Sequence, residues 1–143
     1  MKTYTIGFTG TQMGMTEPQK RTLSVLFNNR FKSIQIILHT GDCIGADAEA
    51  YDMAKSCSGS LIHIHPPINE SKRAFKQGDI VYEAKEYLDR NKDIVDASDI
   101  LIGAPRQYKE ELRSGTWATL RYAKKQKKKY VIIYPDGQLA EQF

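Results

Sequence analysis

The stretch 114-SGTWATLRYAKKQKKKYVIIYP-135 decides the fold. A Ser-Gly-Thr turn opens an amphipathic helix, a basic connector follows, and a strongly apolar strand closes the unit. That is half of an α/β repeat, and its turn is where such repeats hold anions. The first turn of a helix carries unpaired backbone N–H groups and the positive end of the helix dipole. Small residues there let a phosphate approach the backbone closely. Ser114, Gly115 and Thr116 are therefore the first candidates for a ligand site. The same three residues also read as an ordinary helix cap.

The rest of the chain repeats the pattern. Residues 3–9 (TYTIGFT) read as a buried strand ending at Gly10. Thr16 and Gln19 form a capping box with Pro18 between them, opening a helix over about 17–30 whose apolar face is Leu23, Leu26, Phe27 and Phe31. SIQIIL (33–38) is a second strand, followed by the small, acidic loop 39-HTGDCIGAD-47. Ala46, Ala50, Met53, Ala54 and Cys57 recur at helical spacing and are small enough to pack closely on a sheet. LIHIHP (61–66) is a third strand. A helix is predicted from Asp79 to about Ala97 on the stripe Ile80, Ala84, Tyr87, Leu88, Ile94 and Val95, with a break near Arg90-Asn91. DILIGA (99–104) and YVIIY (130–134) are the fourth and fifth strands, and 136–143 reads as a turn with a frayed end.

Five short apolar strands alternating with amphipathic helices imply an α/β, three-layer, Rossmann-like single domain over residues 1–143. The expected sheet is doubly wound, mainly parallel and five-stranded, of order 3-2-1-4-5, with its binding crevice at the C-terminal strand edge. The loops at that edge carry most of the Gly, Ser and Thr turns together with Lys72, Arg73, Lys76, Arg106, Lys109 and Arg113. The formal net charge of +4 favours anionic partners. Five lysines crowd Lys124 to Lys129, but they fall roughly 15 Å from the proposed turn at 1.5 Å per residue. There they complement the negative end of the helix dipole. No apolar run is long enough to span a membrane, and the N-terminus enters a strand directly. The two cysteines, Cys43 and Cys57, form neither a disulfide framework nor a zinc motif, so a reducing cytoplasm is expected. Neither a metal nor a cofactor is assigned.

Four segments in this order resemble the SLOG superfamily of Rossmann-like proteins. That group joins the DNA-processing protein A family, the "lonely guy" phosphoribohydrolases and small YspA/YpsA-like proteins. The first strand runs into Thr9-Gly10-Thr11, like the family's Gly-Ser/His-Arg turn. 40-TGDCIGADAEAYDMA-54 is similar to the Gly-Gly-x-x-Gly-x-Asp-x-x-Ala signature, and 90-RNKDIVDASDILI-102 to the Arg-Asn pair, helix and fourth strand. 113-RSGTWATLRYAKKQKKKYVIIYP-135 is similar to the last turn, helix and strand. The stand-alone YspA-like branch is the nearest in overall pattern. The resemblance implies a nucleotide, a nucleotide-derived signal or nucleic-acid phosphates as ligand, and a homodimer or higher homo-oligomer. In the hydrolase branch the turn reads Pro-Gly-Gly-x-Gly-Thr-x-x-Glu. Thr119 stands where that glutamate belongs, and threonine cannot replace a carboxylate as acid or base near neutral pH.

The expected ligand-binding set is Gly10, Thr11, Gly41, Asp42, Asp47, Arg90, Asn91, Arg113, Ser114, Gly115 and Thr116. Gly10 and Thr11 form a phosphate cradle or a tight strand exit. Asp47 reads as the cap of the second helix, also able to orient loop amides or a ribose hydroxyl. Asp42 reads as an acceptor for a ligand hydroxyl. Asn91, a buried amide, needs either a backbone contact or a ligand. Arg113 is placed to pair with a phosphate or lies in solvent. His63 and His65 share one side of a strand but lack a third ligand nearby in sequence, so they read as core or edge histidines. Three functions remain in play: a sensor or sequestering module for a nucleotide-derived ligand, a nucleoside 5′-monophosphate N-glycosidase using Asp42 or Asp47, and a single-stranded nucleic-acid binder.

Overall fold

The structure, a computed structural model, describes residues 2–57 and 59–142. Its strands are β1 (Thr3–Gly10), β2 (Gln35–Thr40), β3 (Leu61–Ile64), β4 (Ile80–Val81), β5 (Ile100–Ala104), β6 (Lys129–Ile133) and β7 (Leu139–Gln142). Its α-helices are α1 (Glu17–Val25), α2 (Ala46–Lys55), α3 (Tyr87–Ala97) and α4 (Gly115–Lys125), and α1 runs on as a π-helical turn over Leu26–Arg30. The seven strands form one sheet of order β4-β3-β2-β1-β5-β6-β7. Every neighbouring pair is parallel except β6–β7.

Strand alternation sorts side chains into two cores. Ile6, Phe8, Ile36, Leu38, Ile62, Ile64, Ile100, Ile102, Val131 and Ile133 face α1 and α2. Their helical partners are Leu23 and Leu26 from α1 and its extension, and Ala46, Ala50 and Ala54 from α2. The small alanines let α2 lie close against β1, β2 and β3. On the opposite face Leu101 and Ile132 meet Ile94 and Val95 of α3 and Trp117, Leu120 and Ala123 of α4. Each such fully buried aliphatic side chain contributes about 1.5–3 kcal/mol. The capping box at α1 is present: Gln19 N–H donates to Thr16 Oγ1 and Thr16 N–H to Gln19 Oε1. Gln19 Nε2 also donates to the Pro105 and Ile133 carbonyls, which ties α1 to the ends of β5 and β6.

The expected five-stranded sheet is corrected to seven. Ile80 and Val81 do not begin a helix; they pair with His63 and Ile64 as an edge strand, and α3 starts only at Tyr87. α3 is continuous through Arg90-Asn91. The tail is not frayed over its described part, because Gly137 turns the chain and β7 pairs antiparallel with β6. Thr22 Oγ1 donates to the Gly137 carbonyl at 2.7 Å and fastens this hairpin to α1. Phe143 lies outside the described residues. No helix among the described residues is long and apolar enough to cross a membrane.

Candidate functional site

β1 and β5 run side by side to Gly10 and Ala104, and Thr11 N–H donates to the Ala104 carbonyl at 3.2 Å. Beyond that point the chains part, β1 into the Thr11–Gly14 turn and β5 into Pro105–Gln107. A cleft of about 210 Å³ opens between them at the C-terminal strand edge. The N-terminus of α4 supplies one wall through Ser114, Gly115 and Thr116, and Gly10 to Met13 supply the facing one. Cys43, Asp47, Tyr87, Arg90 and Asn91 line the remainder, with Arg106 and Gln107 from the loop after β5.

At α4 the cap and the ligand-site readings coexist. Ser114 Oγ accepts from Trp117 N–H at 3.2 Å, and Ser114 N–H donates to the Glu111 carbonyl. The N–H groups of Gly115 and Thr116, the first two helical residues, meet no acceptor among the described residues. A Cβ on Gly115 would meet only the Tyr87 ring, at 3.6 Å. Nothing in the protein's own packing calls for glycine there; its bareness keeps the approach to the helix end open. Thr119 Oγ1, by contrast, donates to the Gly115 carbonyl at 2.8 Å, and Thr119 lies outside the lining of this cleft.

The floor is organised by Arg90, which is 3% exposed. Its Nη1 donates to the Gly41 carbonyl at 2.5 Å and to the His65 carbonyl at 3.1 Å, binding the ends of β2 and β3 together. Its guanidinium lies over the Tyr87 ring, 4.7 Å from the centroid. Gly41 is required here, since a Cβ would fall 2.7 Å from the guanidinium carbon and 2.9 Å from Asp47 Oδ2. Gly41 thus makes room for Arg90 and does not itself line the cleft.

Asp47 and Asn91 are each 6% exposed and both line the cleft. Asp47 Oδ2 accepts from Cys43 N–H at 3.2 Å, while Oδ1 has no hydrogen-bond partner. Burial pushes its carboxyl up to about 6, partly offset by the Arg90 charge and the Cys43 N–H. Asp47 is not the cap of α2, which is Gly45; it sits in the first turn. Asn91 makes no side-chain hydrogen bond to any described residue, so its amide is free to meet a ligand. Burial, with Asp47 nearby, raises the Cys43 thiol, whose Sγ lies 3.4 Å from Tyr87 Oη.

Two expected residues fall elsewhere. Asp42 is buried behind the cleft, where Oδ2 accepts from Arg73 Nε at 2.9 Å and Oδ1 from Lys76 N–H at 3.0 Å. It pins the 73–76 loop instead of facing a ligand hydroxyl. Arg113 is exposed and outside the lining. Gln107 and Tyr87 were absent from the expected set. Gln107 follows β5 at the same strand edge, but it has neither the charge nor the small size that marks the other candidates in that loop. Its buried Oε1 has no partner.

On the α3 side of β2 and β3, His39, His63 and His65 gather around Tyr82 in place of aliphatic residues. His39 Nδ1 and His65 Nε2 are 2.7 Å apart, so one ring donates to the other. Burial lowers them to about 4 and about 3, reinforced in His39 by His63 and in His65 by His39. Both are neutral at pH 7. No group of three His, Cys, Asp or Glu among the described residues is placed to hold a metal ion.

No family model matches the chain, and no curated protein does. Two of the similar solved structures bear on the fold. One is the molybdenum cofactor binding protein from the phototrophic bacterium Rippkaea orientalis, with TM-score 0.70 and 22% identity over 94% of this chain and 78% of that one. The other is DNA processing protein A from Helicobacter pylori, described for its single-stranded DNA binding mode, with TM-score 0.58 and 16% identity. That alignment covers 90% of this chain but 64% of the longer protein. With the parallel sheet, the two helical layers and the strand-edge cleft, these likenesses show an α/β, three-layer, Rossmann-like fold shared with both structures.

Proposed function

We propose that the cleft binds a nucleotide or nucleotide-derived ligand through a phosphate at the N-terminus of α4, and that the protein senses or sequesters it. The observation that carries this reading is the pair of free N–H groups of Gly115 and Thr116, open to the cleft beneath a bare glycine. The Gly10–Thr11 turn opposite, Arg106 at the rim and the unpartnered Asn91 amide support it. The ligand is held by Gly10, Thr11, Asp47, Arg90, Asn91, Ser114, Gly115 and Thr116. Isothermal titration against mononucleotides, cyclic nucleotides and ADP-ribose derivatives is the test. Binding to at least one is expected, and its absence throughout at millimolar ligand would overturn the reading.

A second reading, cleavage of a nucleoside 5′-monophosphate at its N-glycosidic bond, is favoured by one feature. Asp47 is a carboxylate in the cleft lining, raised to about 6, in the range where a general acid or base works. Free base released on incubation, and lost in Asp47→Asn, would establish it. Single-stranded nucleic-acid binding is the third reading, supported by the similar Helicobacter pylori protein. It requires affinity that falls steeply with salt and with neutralisation of Lys124 to Lys129. Self-association is part of the proposal, and sedimentation measures it directly.

A further inference from the structure

The buried carboxylate in the cleft is out of place in an anion site. Asp47 shares its lining with the free N–H groups of α4, yet no ion pair among the described residues contains it. Its Oδ1 has no partner at all. Arg90 of α3 lies near enough to favour the charge, but its Nη1 is directed to the Gly41 and His65 carbonyls. Asp42, in the preceding loop, adds a like charge. A second negative charge brought by a ligand would face Asp47 in a partly dehydrated space, where charges interact several times more strongly than in water.

We propose that an anion enters this cleft together with a proton, which Asp47 takes up, so that Asp47 sets which anions the site accepts and at what pH. The inference rests on the anion-site reading above. The proton comes from solvent and ends on the Asp47 carboxylate; no bond of the ligand changes. The neighbouring groups leave the role to Asp47. Cys43 and Tyr87 are raised by burial, further from neutrality, while His39 and His65 are lowered below pH 5. Arg90 and Arg106 are the arginines that share this lining.

Sulfate is the probe, because it does not titrate between pH 5 and 8. Calorimetric titration at pH 7 in Tris and in imidazole chloride, which differ in protonation enthalpy, reads the protons taken up. The unaltered protein should take up roughly half a proton or more per sulfate, and its affinity should fall roughly tenfold from pH 5 to pH 8. Asp47→Asn keeps an acceptor for Cys43 N–H; it should bind sulfate without proton uptake and with one affinity at both pH values. The pH series on the unaltered protein stands whether or not that variant folds. Sulfate binding without proton uptake, or uptake that persists in Asp47→Asn, overturns the inference and leaves the anion site intact. Absence of sulfate binding to either protein at both pH values removes the anion site itself and the inference with it.

Discussion

Arg90 and Gly41 work as one device, because the space the arginine occupies is the space a side chain at position 41 would fill. Gly41→Ala should therefore displace the guanidinium from the Gly41 and His65 carbonyls and cost about 2–3 kcal/mol. Urea denaturation measures this. In an Arg90→Ala background the same substitution should cost less, since the nearer clash is gone and only Asp47 Oδ2, at 2.9 Å, remains in the way. At this scale the sequence was half legible. Asn91 reads as a buried amide short of partners, and so it is. Asp42 could not be read correctly, because its partners Arg73 and Lys76 lie 31 and 34 residues away. Only the folded return of the 73–76 loop reveals that both oxygens are engaged.

Among elements, α4 shows how far a local signal reaches. Its cap, amphipathic face and following strand are encoded within 22 consecutive residues, 114–135, and each is found where the pattern puts it. Gly115→Ala separates stability from binding. The added methyl meets only an ordinary contact with Tyr87, and alanine is the better helix residue, so the melting temperature should hold or rise. The methyl also enters the cleft beside the free N–H groups, so affinity for the proposed nucleotide or for sulfate should drop roughly tenfold by titration calorimetry. Elements with little sequence of their own were the illegible ones. β4 is two residues long, and Ile80 fell by chance on the helical stripe of Ala84 and Tyr87. β7 reads LAEQ, with little β-propensity. It is a strand because β6 offers an edge and the Thr22–Gly137 bond holds the turn.

For the whole molecule, two sets of buried groups pull stability in opposite directions with pH. His39 and His65 are lowered on folding, so the unfolded chain takes up protons first as pH falls below about 6.5. Their contribution is complete above that value and is lost progressively toward pH 4. Asp47 is raised, so the folded state binds its proton more tightly and gains stability as pH falls through about 6 toward 4. With two histidines against one carboxylate, the melting temperature should fall from pH 7 to pH 4. The fall should be steeper in Asp47→Asn and shallower in His39→Gln/His65→Asn, followed by circular dichroism.

The cleft joins residues from opposite ends of the chain, Gly10 to Gln12 on one wall and Ser114 to Thr116 on the other. During synthesis, the first wall leaves the ribosome about a hundred residues before the second, so no ligand can meet a finished pocket until α4 has emerged. A nascent chain stalled before Ser114 already carries Gly10, Asp47, Arg90 and Asn91 but lacks the helix end that completes the lining. Occupancy would therefore act as a completeness check: it favours the finished fold by mass action and gives no help to truncated chains.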